Sequence, residues 1–347
     1  MAIPFNKRVF AVMTLILVLL LAACSSSESS GGSDSSSGEK VKIAMITSEG
    51  GLGDRSYNDS GNEGLKKASD ELGAEVKVVE PQDVSEGEKY LTQLAQSGFD
   101  LVITLDLGHE KVLKEIAPQY PDTQFAIFNT VVEGDNITSV LFHEHEGSFL
   151  AGALAALVTQ DESVNNLNGE KVISFVGGVD SPGINKFLVG YEEGAKHIDP
   201  ETKVIVGYSN SFSDPSKGKE ITLSQIEQKA DVIYQVAGAT GEGVIDGAKT
   251  KDVFAIGVDS DQDYIAEGNV LTSVMKRVDV AVFELSKAAQ GGSYESIIEL
   301  GLKENGVQLS EMKFTKDMIN PDHIAKVEEI KEQIINGEIE VTDVTKQ

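Results

Sequence analysis

Residues 40–65, KVKIAMITSEGGLGDRSYNDSGNEGL, decide the fold class. The apolar run Val41, Ile43, Ala44, Met45 and Ile46 predicts a buried strand over 40–47. Gly50, Gly51 and Gly53 let the backbone turn tightly, and a helix is expected over 57–72. In open α/β sheets ligands sit beyond the carboxyl ends of strands, which is where this reading places Asp54, Ser56, Tyr57 and Asn58. The same residues admit a structural reading, in which Asp54 or Ser56 caps the helix and Tyr57 packs in the core.

Outward from this stretch the rhythm repeats. Strands are expected near 75–80, 100–104, 124–128, 138–142, 171–177, 203–208, 231–236, 253–258 and 270–275, with helical segments between most of them. Repeated βα units predict parallel sheets covered on both faces. The halves also match each other: Asp100 begins DLVI 25 residues before Phe125-Ala-Ile, and Asp231 begins DVIY 23 residues before Phe254-Ala-Ile. The match favours two similar lobes over one long sheet. The first lobe is expected at 39–142 with about 277–293, and the second at 143–276 with about 294–310. The lobe of 311–347 is left open.

The N-terminus reads as a targeting segment. Lys7 and Arg8 precede an apolar stretch, Val9 to Leu21, that is shorter than a membrane span. Leu21-Ala22-Ala23-Cys24 resembles the bacterial lipoprotein signal, which implies removal of 1–23, lipid on Cys24 and an extracytoplasmic protein anchored to the cell membrane. Residues 25–38, SSSESSGGSDSSSG, read as a flexible tether that spans on the order of 20 Å. Cys24 is the only cysteine, so disulfides, a thiolate nucleophile and a cysteine metal site are excluded. The net charge of −27 argues against a nucleic-acid partner.

Enzyme motifs fail one by one. The glycines of Gly238-Ala-Thr-Gly241-Glu-Gly243 are wrongly spaced for a dinucleotide fingerprint, and no GK[ST] follows a glycine loop. His143 and His145 are two apart, not the four of a helical zinc pair, and are expected to be solvated. Asp259, Asp261 and Asp263 begin like a calcium loop, but Tyr264 stands at the turn glycine and Val270 at the bidentate glutamate. No enzyme, cofactor or metal site is expected. Polar clusters instead fall at strand ends, at 54–58, 106–109, 177–182, 238–241, 257–262 and Lys276, where two lobes would clasp one small molecule.

Several segments, in order, carry a specific resemblance: GDRSYNDSGNEGL, HEGSFLAGALAALV, FVGGVDSPGINKFLVGYEEGAK, VAGATGEGVIDGAK, and GVDSDQ followed by LTSVMKRVD. Together they resemble the basic membrane protein family, whose members include purine nucleoside-binding lipoproteins of ABC transporters. The resemblance implies an α/β protein of two doubly wound Rossmann-like lobes joined by a hinge, the type I periplasmic-binding-protein fold. It also implies a nucleoside ligand and an ABC permease as partner. Carried over to this chain, it implies that Tyr57 and Phe187 sandwich the base and that Asp54 and Asn58 read its edge. Asp259 would accept from ribose hydroxyls and Lys276 donate to them, with Ser56 alongside and Gly238 allowing close backbone approach. Around 104–111 the chain departs from the family pattern, which leaves Asp106 and His109 open as base contacts. The rivals are a sugar receptor of the same fold, a surface or regulatory lipoprotein, and a nucleoside hydrolase using the aspartates at 259–263.

Overall fold

The computed structural model describes residues 40–164 and 167–346, so the expected signal, Cys24 and the serine tether lie outside the described residues. From Lys40 onward the chain forms one compact unit built on two six-stranded sheets. In the first sheet the order is β2 (Glu75–Val79), β1 (Lys42–Ile46), β3 (Leu101–Thr104), β4 (Gln124–Phe128), β5 (Ile137–Phe142) and β11 (Ile297–Leu300), all parallel. In the second it is β7 (Lys203–Tyr208), β6 (Val172–Gly177), β8 (Val232–Val236), β9 (Phe254–Asp259), β10 (Val270–Lys276) and β12 (Val307–Leu309). There only β12 runs antiparallel.

The helices follow in chain order: α1 (Tyr57–Leu72), α2 (Gly87–Gln96), α3 (Glu110–Ile116), α4 (Glu144–Thr159) and α5 (Pro182–Ile198), then α6 (Pro215–Glu227), α7 (Thr240–Lys251), α8 (Val278–Gly291) and α9 (Pro321–Ile335). The central strands are buried along nearly their whole length, while the edge strands β2, β7 and β11 carry exposed positions. That is the pattern of a parallel sheet covered on both faces.

Helix α4 is apolar almost all round because it has no free face: α5, α9 and β12 pack about it. Its approach to α5 is set by backbone. A side chain at Gly152 would strike the Tyr191 carbonyl, and side chains at Gly190 and Gly194 would strike those of His145 and Phe149. Helix α8 packs in the same way on α1, with the Asp279 carbonyl against Gly64.

Three crossings join the lobes: His143 between β5 and α4, Arg277 between β10 and α8, and residues 301–306 between β11 and β12. The expectation that 294–310 belongs to the second lobe does not hold for its first part: β11 pairs with β5 of the first sheet, and only β12 joins β10 of the second. Strand pairing over such distances depends on which sheet edge is unfilled, which a four-residue apolar run does not encode. The unassigned C-terminal residues carry α9, which packs on α4 of the second lobe.

Candidate functional site

The carboxyl ends of both sheets meet. The β1–α1 turn of the first lobe reaches the ends of β9 and the following loop: Ser56 Oγ donates to Asp259 Oδ2 at 2.5 Å, Ser260 Oγ to the Ser56 carbonyl at 3.2 Å, and Gln262 Nε2 to the Arg55 carbonyl at 3.0 Å. Arg55 also pairs with Glu242 of α7 at 3.5 Å, an exposed contact that contributes little. Three residues of this seam, Arg55, Asn129 and Asp259, hold left-handed φ angles of 50°, 67° and 64°. Such angles concentrate where the surrounding structure fixes the backbone at a site.

Asp259 is 9% exposed. Burial pushes its carboxyl up to about 6, against the opposing pull of the Lys276 charge and the Ser56 hydroxyl. Oδ2 accepts a hydrogen bond from the Ser56 hydroxyl, and Oδ1 has no partner among the described residues. A buried carboxylate with one unspent oxygen is equipped to accept a hydroxyl.

Lys276, expected as a ribose donor, forms its ion pair with Glu144. Its ammonium lies 2.7 Å from Glu144 Oε1 and donates to Asn129 Oδ1 at 2.6 Å, and Asn129 in turn donates to the Tyr57 hydroxyl at 2.9 Å. Glu144 Oε2 receives Lys186 at 3.0 Å, and Lys186 also holds the Phe142 carbonyl at 3.0 Å. Burial alone would raise the Glu144 carboxyl, but the two lysines outweigh it and bring it down to about 2. Asp259 and Lys276 therefore interact only through space, with Glu144 between Lys276 and Lys186.

Asp54 and Asn58 are spent on the turn. Asp54 accepts from the amides of Ser56, Asn58 and Asp59 and from Asn58 Nδ2, at 2.9–3.1 Å, so it caps α1. Asn58 Oδ1 accepts from the Ser48 amide at 2.9 Å. They are 2% and 0% exposed, and neither has the free edge that reading a base requires. The capping alternative stated for Asp54 is the one the geometry follows.

Tyr57 and Phe187, the expected aromatic pair, both lie around the Lys276 ammonium. Phe187 is 5% exposed within the core, and the Lys276 ammonium stands 5.0 Å from the Tyr57 ring, 4.9 Å from Phe142 and 6.0 Å from Phe187. These rings face a cation, an arrangement attractive in its own right. A further ring, which sequence reading did not single out, is Phe212, half-buried in the loop after β7. It lies on the glycines ending β6 and β8. A side chain at Gly178 would collide with the ring, and one at Gly238, where φ is 56°, would meet its carbonyl at 3.2 Å. Gly50 of the opposite lobe faces the same carbonyl at 3.7 Å. Glycine at 238 thus makes room for Phe212.

Asp106 is half-buried at the end of β3, where it caps a short turn through the Gly108 amide at 2.8 Å. His109 is 1% exposed and committed on both nitrogens, to Thr104 Oγ1 at 2.7 Å and the Val84 carbonyl at 3.1 Å. Burial lowers its pKa, and it is a structural residue. The histidines at 143 and 145 are not solvated. His143 joins Glu146 at 3.0 Å and Glu299 at 3.4 Å, while His145 is 6% exposed beneath α5.

The aspartate run diverges rather than encircling an ion: Asp259 faces Ser56, and Asp263 receives Ser273 and Ser310 at 3.1 Å. Among the described residues no group of three or more His, Cys, Asp or Glu is placed to hold a metal. A groove of about 280 Å³ leads away from Asp259 between Arg55, Ser60, Tyr264 and Arg277. No described helix is long and apolar enough to cross a membrane.

The chain is similar to known proteins over nearly all of its described length. Residues 40–345 match the family model described as Bmp, ABC transporter substrate-binding protein PnrA-like. A CD4+ T-cell-stimulating antigen of Listeria monocytogenes is 35% identical over 88% of this chain and 89% of its own. An ABC transporter nucleoside-binding protein, BmpA, of Lactococcus lactis is 31% identical over 87% of this chain and 89% of its own. Among solved structures, an ABC transporter solute-binding protein from Aeropyrum pernix superposes with a TM-score of 0.81 and 28% identity, over 87% of this chain and 93% of that one.

Proposed function

We propose, from the premise that this chain belongs to the Bmp family of PnrA-like ABC transporter substrate-binding proteins, that it is a lipid-anchored receptor. In this reading it captures a nucleoside, with purine nucleosides first, between its lobes and presents it to a membrane permease. It performs no chemistry on the ligand.

The observation that carries the reading is Asp259. Its Oδ1 is unspent where Asp259 lines the groove of about 280 Å³, and the same carboxylate feels the Lys276 charge. A ribose diol supplies donors for the first and an acceptor for the second. Phe212 is a half-buried ring against Gly178 and Gly238 at the carboxyl ends of β6 and β8, and stacking on such a ring contributes ~1–3 kcal/mol per base whatever the base. A relative named as a nucleoside-binding protein supports the ligand class, and relatives named as lipoproteins support the anchor. Lipid on Cys24 and delivery to a permease belong to the same proposal.

The test is a thermal unfolding scan of ligand-stripped protein lacking residues 1–24, with purine nucleosides, pyrimidine nucleosides, free bases and sugars in separate arms. A ligand at 100 times its Kd stabilises the native state by about 2.7 kcal/mol. A shift with purine nucleosides, lost in Asp259→Ala, is the expected result. A shift with ribose or galactose alone would make the chain a sugar receptor instead.

A further inference from the structure

Two of the three N–H donors of Lys276 are used inside the protein, on Glu144 and Asn129. Its ammonium is buried among Tyr57, Phe142 and Phe187, so its direction is set by what holds it. Glu144 is the anionic holder, 4% exposed, and is fixed in turn by Lys186. Lys186 is itself tied to the Phe142 carbonyl and stands 3.9 Å from Asp343 near the C-terminus. The order of support is Asp343, Lys186, Glu144, Lys276, then the cleft.

We infer that Glu144 is the positioning residue of the cleft: it holds the Lys276 ammonium so that one N–H remains for the ligand sugar. The inference rests on the nucleoside reading. Its physical basis is a competition. Asp259 already feels the Lys276 charge, and with Glu144 absent it becomes the counter-ion that Lys276 turns to. The pair would then neutralise each other and remove both sugar contacts in one step.

Glu144 and Lys276 also flank two of the three crossings between the lobes, at His143 and Arg277. Ligand contact at Lys276 is therefore made at the hinge itself.

The test is a double-mutant cycle read by titration calorimetry with a purine nucleoside and its free base, on wild type, Glu144→Gln, Glu144→Asp, Lys276→Met and the Glu144→Gln/Lys276→Met double variant. Glu144→Gln is expected to weaken nucleoside binding about tenfold and free-base binding less than about twofold, and Glu144→Asp to recover most of the loss. In the Lys276→Met background Glu144→Gln should cost less than about twofold, because the group it acts through is gone.

Equal losses for nucleoside and base, or an additive cycle, would overturn the inference while leaving the nucleoside reading intact. A wild type that binds no nucleoside overturns that reading and this inference with it. If Glu144→Gln fails to fold because Lys186 is left unpaired, the cycle is run with Glu144→Gln/Lys186→Met, which removes both charges together.

Discussion

The Ser56 hydroxyl and the Asp259 carboxylate, 203 residues apart in sequence, share a 2.5 Å hydrogen bond across the seam between the lobes. Ser56 is 0% exposed, so no water replaces it. A hydrogen bond to a charged group contributes about 1.5–3 kcal/mol. Ser56→Ala should therefore lower the unfolding free energy by ~2 kcal/mol in urea and weaken ligand binding. A variant within about 0.5 kcal/mol of wild type would mean that the seam does not depend on this bond.

Acid dependence follows from the same carboxylate. Its folded value, about 6, lies above the ordinary 3.8, so folding favours the protonated form. The contribution is fully present below about pH 4 and is lost as pH rises through 6. Asp259→Asn should remove that loss and be more stable than wild type at pH 7 by ~2–3 kcal/mol, from two pH units at about 1.4 kcal/mol each. Asp263, also raised to about 6, acts in the same window, so the quantity to measure is the difference between wild type and variant across pH 4–7. Parallel curves would refute the assignment. Glu144 has the opposite sign: its contribution is present above 4.5 and fades as pH falls through about 2.

Phe212 and Phe187 should separate in mutagenesis. Phe187 is 5% exposed in the core, and its replacement by alanine should cost ~3–5 kcal/mol of stability. Half-buried Phe212 should cost less stability as alanine but more affinity, with a nucleoside Kd raised at least about tenfold. Calorimetry paired with urea unfolding of both variants distinguishes the roles, and an exchange of the two phenotypes would restore Phe187 to the ligand.

The contact between α4 and α5 predicts a local intolerance. A methyl group at Gly194 meets the Phe149 carbonyl, so Gly194→Ala must push the helices apart and should cost ~1–3 kcal/mol or more. Gly183, near the start of α5, has nothing within 4 Å of its added carbon and is the control, expected to tolerate alanine. Comparable melting temperatures for the two variants would show that the helices can separate freely.

The parts of this fold that were legible in sequence rest on local periodicity. Phe125 in β4 and Phe254 in β9 occupy equivalent places, opposite Val102 and Val232, in sheets of the same strand order. Their matching segments could be read directly. Asp54, Ser56, Tyr57 and Asn58 were legible as a cluster at a strand end, but their division into cap, seam and cleft depends on which donors reach which oxygens. Phe212 sits in SNSFSDPS, a stretch whose composition signals only a turn. Glu144, Asn129 and Lys186 are single polar residues with no local motif, and they converge only when both sheets are assembled. The lobe of β11 was misread because pairing with β5 is decided by topology and not by the four residues Ile297–Leu300.

The last crossing gives the chain a timetable. Synthesis proceeds from the N-terminus, so all five parallel strands of the second sheet have been made before α8 and β11 arrive to complete the first. Six residues after β11, β12 covers β10 and finishes the second sheet. The two sheets are therefore completed almost together, within a dozen residues of each other, before α9 is made to pack on α4. A nascent chain stopped just short of Ile297 would leave the flanks of β5 and β10 uncovered at once, the state most exposed to edge-to-edge association.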